Sequence, residues 1–375
     1  GTTEQEPGGE QTDHERVPLA DNPLTAGRLA QHVDRLARDG YPYRFERSAT
    51  AAHLHERYAE LEPGTETEDV VVVAGRVMLL RSFGKLTFVT LADVSGRIQL
   101  FIDRRSIGEE GHARFSEVDL GDWVGATGVV MTTKKGELSV RVSEFELLQK
   151  SLRPLPDKWH GLQDIELRSR RRYIDLMVNE DARRVALVRA GVVSELRRQF
   201  EQRGYVEVET PVLLSQATGA LARPFQTEHN ALGMDMYLRI ATELFLKRLV
   251  VGGLERVFEI GRIFRNEGVD STHNPEFTML ESYEAFADYG DIATMVEEIL
   301  VAVAQQATGS TEIMYQGRPL DLTPPFRRVR MVDLVSAAVG ESVDFDRPLA
   351  EMRDLARRHG IEAERLWGHG KLIEV

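Results

Sequence analysis

Arg265, Phe277, Glu281 and Tyr283 lie close together in the stretch Phe258–Tyr283, FEIGRIFRNEGVDSTHNPEFTMLESY. Their side chains suit two kinds of ligand group. Arg265 can offer its planar fork to a phosphate, and Phe277 can stack a flat ring. Glu281 and Tyr283 can meet a cation. Phe277, Met279, Glu281 and Tyr283 alternate with their neighbours and so share one face of a strand. A core strand does not hold a carboxylate beside aromatics without a partner for it, so this face is expected to line a pocket. The plainer reading is an antiparallel hairpin with a solvated, charged loop.

The elements that must position these groups are readable around them. Phe258, Ile260, Arg262 and Phe264 alternate with Glu259, Gly261, Ile263 and Arg265, the period of a strand. Arg265-Asn266-Glu267-Gly268 breaks that run, Asp270 to Asn274 is polar loop, and the alternation resumes at Pro275. FRNEG followed by HNPEFT resembles motif 2 of the class II aminoacyl-tRNA synthetases. The longer run ARPFQTEHNALGMDMYLRIATELFLKRLVVGGLERVFEIGRIFRNEG resembles the bacterial lysyl members of that family.

The resemblance implies residue roles. Arg265 is the catalytic arginine, on the ATP α-phosphate and the lysine carboxylate. Phe277 stacks adenine, with Glu267, His273 and Asn274 around the nucleotide. Glu243, Glu281 and the Gly219 backbone hold the α-ammonium of L-lysine, and Tyr283 lies near its ε-ammonium. Read alone, Glu243 is a first-turn acid favoured by a helix dipole. The chain departs from the family at Thr218, where a glycine is usual, and at Thr242, where a proline is usual.

The chain has 375 residues, 42% apolar and 29% charged, as expected of a soluble protein of two or three domains. No apolar run approaches a membrane span. There is no cysteine, which excludes disulfides and thiolate metal sites and fits a cytoplasmic protein. A net charge of -13 does not suggest a nucleic-acid binder, but the acidity is concentrated: residues 1–70 hold 15 acidic and 7 basic residues. A basic stripe elsewhere suffices for tRNA.

In order, residues 1–24 read as a disordered acidic tail. Residues 25–69 are a helical segment, with Thr25 as N-cap and Gly40 past the first helix's end. Residues 70–150 hold five short strands, with turns at Phe83-Gly84-Lys85, Ser95-Gly96 and Lys135-Gly136, and suggest an OB-fold barrel. In the lysyl family this barrel binds the tRNA anticodon, which implies contacts from Arg81, Phe88, Gln99 and Glu137. Phe88 can stack a base, and Arg81 and Gln99 can read its edge or the backbone. On sequence alone Phe88 is more often a core aromatic.

Residues 151–180 are a linker in which Arg168, Arg170, Arg171 and Arg172 cluster, either as a solvated helix face or as a contact for tRNA or a partner subunit. Residues 181–375 are a partial catalytic domain. They open with a helical stripe, Val185, Val188, Val192, Leu196 and Phe200, followed by a strand over Tyr205–Glu209. By resemblance this is motif 1, which implies a homodimer. Beyond Tyr289 the chain reads as helix, short strand and further helices, with structural content only.

The expected fold is therefore α+β: an OB barrel followed by an antiparallel sheet flanked by helices. The family's third motif, its Mg2+ ligands and the acid for the ε-ammonium are expected beyond Val375, so no metal ligand is assigned here and the chain is expected to be incomplete and inactive. The implied full activity is ATP-dependent ligation of L-lysine to tRNA(Lys). The alternatives are a lysine ligase serving protein or lipid lysylation, or a non-catalytic tRNA-binding or dimerisation fragment.

Overall fold

A computed structural model describes residues 18–156, 162–270 and 272–375. Residues 1–17 of the expected tail, and residues 157–161 of the expected linker, lie outside that range. The chain divides between Arg183 and Arg184 into two compact units.

The first unit begins with α1 (Pro23–Arg38) and α2 (Ala51–Arg57). Thr25 does not cap α1. It is buried inside the first turn, and its hydroxyl donates back to Leu19 O at 2.6 Å. The barrel follows: β1 (Glu66–Phe83), β2 (Leu86–Ala92), β3 (Arg97–Asp103), then α3 (Arg104–Phe115), β4 (Trp123–Thr132) and β5 (Leu138–Gln149). The strands close in the order β1-β2-β3-β5-β4, with β4 pairing back onto β1. Inward positions alternate as the pleat requires: Val89 and Leu91 on β2, with Ile98, Leu100 and Ile102 on β3, are buried in one apolar core.

The helix α3 was not expected. It is anchored on that core by Phe115 and has glycines at 108 and 111 that weaken any helical signal. A charged knot ties the ends of β4 and β5 together. Buried Lys150 donates to Asp119 at 2.7 Å and to Asp122 at 3.1 Å, and Asp122 also accepts from Ser151 N at 2.7 Å.

The short helices α4 (Ile165–Arg170) and α5 (Arg172–Val178) complete this unit. They carry the arginine cluster. Arg168 and Arg172 both pair with fully buried Asp175, and Arg170 pairs with Glu166. All three guanidinium groups stay partly exposed while making these pairs.

The second unit is built on α6 (Glu180–Gln202), β6 (Val206–Glu207), β7 (Leu213–Leu214), β8 (Gln226–His229), β9 (Met234–Leu238), α7 (Glu243–Val251), β10 (Arg256–Phe264) and β11 (Glu276–Glu284). It continues through α8 (Tyr289–Thr308), β12 (Glu312–Tyr315), β13 (Arg318–Asp321), α9 (Met331–Val339), α10 (Leu349–Arg358) and α11 (His369–Glu374). The central sheet is mixed: β10 pairs antiparallel with β11 and parallel with β6. The expected strand over Tyr205–Glu209 is thus shorter and runs with its neighbour, not against it. Its back face, with Phe258, Ile260 and Leu280, packs on Leu196 and Phe200 of α6 and on Met295 and Ile299 of α8. The lower part of the α6 stripe is therefore core, while Val185 at its start is exposed. A second sheet runs β7-β9-β8, all antiparallel. The last three helices share a small separate core around Met352, Leu355 and Leu372. No helix among the described residues is long and apolar enough to cross a membrane.

Candidate functional site

The front face of the β10–β11 hairpin carries the chemistry. Directly opposed pairs share a face in an antiparallel ladder. The register sets Val257 against Tyr283, Glu259 against Glu281, Gly261 against Met279 and Ile263 against Phe277. Phe258 and Ile260 point to the core behind, so Glu259 and Glu281 are brought side by side in front.

Those two carboxylates are managed differently. Glu259 is buried and pairs with equally buried Arg239, each 4% exposed, at 2.5 Å. Its other oxygen accepts from the Thr210 hydroxyl at 2.6 Å. Arg239 also donates to Arg262 O and Thr210 O, so the pair is satisfied on both sides. Its guanidinium fills the space where a side chain on Gly261 would begin: a Cβ there would lie 2.1 Å from Arg239 Nη2. Neither Arg239 nor Glu259 is singled out by the sequence, because the partners are 20 residues apart on different elements. The one available signal was Glu259, a carboxylate with the same parity as Ile263.

Glu281 has no such cation among the described residues. Its Oε1 accepts from Thr242 N at 3.3 Å, at the start of α7, and its Oε2 from the Tyr283 hydroxyl at 3.3 Å. Both contacts are long, which leaves acceptor capacity for a ligand. Burial first, then the Glu281 and Glu243 charges, push the Tyr283 phenol well above its ordinary pKa. It therefore stays a neutral donor. Glu243 opens α7 and pairs with Lys247 one turn on, at 2.5 Å. Gly219 lies against it: a Cβ there would be 3.6 Å from the Glu243 Cβ, on a backbone with φ +94° that favours glycine. Gly219, Glu243, Glu281 and Tyr283 are thus one cluster.

Arg265 and Phe277 form the next cluster along the hairpin. The guanidinium lies 5.3 Å from the ring centroid, and among the described residues its hydrogen bonds go to Ile240 O at 3.5 Å. An arginine so weakly tethered has donors to give to an anion. At the hairpin's end an open pocket of about 530 Å³ is lined by Arg223, Asn266, Glu267 and Gly268. Arg223 is new here. Its carbonyl accepts from Asn266 N at 2.8 Å, which fixes the loop against the ALARPF segment. His273 and Asn274 are exposed. The His273 ring turns to Asp270 at 2.8 Å. Hydrogen bonds from Thr272, then His273, hold the Asp270 carboxyl well below its usual range. His273 is thus a loop-structuring residue in this conformation. Among the described residues no group of three His, Cys, Asp or Glu side chains could hold a metal ion.

In the first unit, cross-strand pairing lines up one row across the outside of the barrel: Arg81 opposite Phe88, Phe88 opposite Phe101, Phe101 opposite Arg141. Phe88 is half-buried rather than core, in edge contact with Phe83 and Phe101. Gln99 sits in the adjoining row and donates to Ser139 Oγ at 2.9 Å, and Ser139 in turn donates to Glu137 O. Glu137 is exposed in the β4–β5 turn. The four expected positions therefore fall on or beside one basic and aromatic surface, and Phe101 and Arg141 extend it. Aromatic platforms flanked by cations suit single-stranded nucleic acid.

Comparison with known proteins identifies both domains. Residues 164–364 match the family of class II tRNA synthetases (D, K and N), and residues 71–148 match the OB-fold nucleic acid binding domain. A lysine–tRNA ligase of Nostoc punctiforme is 48% identical over 372 residues, covering 95% of this chain and 66% of the relative. One from Thermosynechococcus vestitus is 53% identical over 310 residues, covering 81% of this chain and 61% of the relative. One from Prochlorococcus marinus is 51% identical over 337 residues, covering 87% and 67%. The chain spans about two thirds of the length of these relatives. With more than half of its residues in the family match and an OB-fold barrel ahead of them, the chain belongs to the class II tRNA synthetases of the D, K and N group.

Proposed function

We propose that the hairpin face activates L-lysine with ATP and that the barrel face receives the anticodon of tRNA(Lys). The observation that carries this reading is the pairing of unlike clusters on one hairpin. A carboxylate and phenol group at the start of α7 adjoins a loosely held arginine stacked on an aromatic ring. Lysine has two ammonium groups for the first cluster. ATP has an adenine and phosphates for the second.

In the first step a lysine carboxylate oxygen attacks the α-phosphorus of ATP, and pyrophosphate leaves. Arg265 is placed to bridge the attacking carboxylate and the α-phosphate, which brings two anions together and offsets their repulsion. Phe277 takes adenine on the ring face that Arg265 does not cover. Arg223 and Glu267 lie where the loop meets the nucleotide, with His273 and Asn274 beyond them. Glu243, Glu281 and the Gly219 backbone hold the α-ammonium, and Tyr283 meets the ε-ammonium. In the second step a terminal ribose hydroxyl of tRNA attacks the adenylate carbonyl and AMP leaves. Mg2+ accompanies ATP phosphates in such chemistry. The residues described here do not form a site for it, and no step above is routed through it.

The barrel row of Arg81, Phe88, Phe101 and Arg141, with Gln99 and Glu137 beside it, favours this reading over ligases that act without an anticodon. Exposed Val185, Leu187 and Val206 in the motif 1 region supply apolar surface for the homodimer the family reading implies. A cytoplasmic location goes with the same reading. Calorimetric titration with L-lysine tests it. Glu281→Gln should weaken binding about 10- to 100-fold through loss of a charged acceptor, with melting temperature unchanged or raised. A large loss of melting temperature with normal lysine affinity would make Glu281 a structural group and sink the assignment.

A further inference from the structure

α7 brings one more charge into the amino-acid cluster. Lys247 lies one turn beyond Glu243, and its Nζ contacts Glu243 Oε1 at 2.5 Å. The same Nζ lies 5.7 Å from the centroid of the Tyr283 ring. Tyr283 in turn donates to Glu281. One tethered ammonium therefore touches two of the side chains assigned above to the ammonium groups of lysine.

A helical glutamate and lysine at this spacing are usually no more than a weak surface pair. Two features set this one apart. Its carboxylate is the wall against which Gly219 packs, and its cation rests on an aromatic face that belongs to the pocket, not to α7. The neighbouring Arg248 shows the contrast: it rests on Phe245 of its own helix. Lys247 is also free to leave. Its side chain is 54% exposed against 33% for Glu243, and both its contacts are to groups that a ligand ammonium would satisfy equally well.

We propose that Lys247 is an internal competitor for the amino-acid site: its ammonium holds Glu243 and the Tyr283 ring until the ammonium groups of a bound lysine displace it. This rests on the lysine reading of the pocket. It makes Lys247 a residue that sets affinity by opposing binding, and it predicts the unusual result that removing a cation from the site strengthens it. Lys247 keeps the Glu243 carboxylate neutralised, and the substrate must exceed what the tethered group already supplies.

The experiment is calorimetric titration of the full chain with L-lysine. Lys247→Met should tighten binding about 3- to 10-fold, the worth of one helical ion pair and one exposed cation–π contact together. Lys247→Gln should do the same, and it guards against packing effects of the methionine. Lys247→Arg should restore affinity near the wild-type value. Arg248→Met removes the same charge one residue away and should leave affinity unchanged. Unchanged or weaker binding in both Lys247→Met and Lys247→Gln would overturn the proposal. Equal tightening in Arg248→Met would overturn it too, by reducing the effect to net charge. If no protein in the series, wild type included, binds lysine, the pocket reading fails and this inference with it. If wild type binds and the Lys247 variants match it, only the inference fails.

Discussion

The front of the hairpin shows how far single residues can be read from sequence. Alternation alone placed Phe277, Glu281 and Tyr283 on one face, and the structure keeps them there. It also exposed Glu281 as a carboxylate in need of a partner. The buried Arg239–Glu259 pair was invisible, because nothing local links a strand carboxylate to an arginine on another element. The same pair explains Gly261. A methyl group there would meet the Arg239 guanidinium, whose other contacts leave it nowhere to move. Gly261→Ala should therefore destabilise the protein by about 1–3 kcal/mol, the range for overpacking a filled site. Urea unfolding with an unchanged slope and a lowered midpoint would show it. An unchanged midpoint would mean that Arg239 has room the structure does not indicate. His273 shows what sequence could not give: its ring turns to Asp270 of its own loop, a contact set by loop geometry.

Elements with strong punctuation were legible and the rest were not. Three of the links between barrel strands are turns with glycine, at Gly84, Gly96 and Gly136, and the pleat of the strands alternates. α3 has interior glycines and one buried anchor, so it carries almost no helical pattern. β7, β8 and β9 are two to five residues long and exist through pairing, not through propensity. Two element joints yield tests. At the barrel end, Lys150→Met would leave buried Asp122 without its cation and should cost about 3–5 kcal/mol in urea unfolding. Adding Asp122→Asn should recover part of that loss, and no recovery would mean that Lys150 acts through packing alone. In the final helices, hydrogen bonds from Arg358 and Arg347 hold the Glu341 carboxyl down to about 2. An unfolded glutamate titrates near about 4.3. The pairing thus contributes in full above that pH and is lost as pH falls through about 2. Amide exchange in α10 should accelerate over that window in wild type relative to Glu341→Gln. A constant ratio between the two would exclude the pairing as the cause.

The two units, taken as a whole, differ in how their sheets end. In the first, every barrel strand is paired on both sides, because β4 returns to β1. That unit has its own core, and the proposed anticodon row lies wholly within it. Residues 1–183 alone should unfold cooperatively and bind a lysine anticodon stem-loop. Phe88→Ala and Phe101→Ala should each cost about 1–3 kcal/mol of that binding at fixed salt. Equal binding by wild type and both variants would remove the row from the interface, and a chain without a cooperative transition would deny the unit its independence. Closure has a further effect that does not depend on any ligand. Strands that find partners on both sides leave fewer free backbone groups for a stray chain to add to. Residues 1–183 released by proteolysis should therefore stay monomeric where an open sheet of the same size would associate.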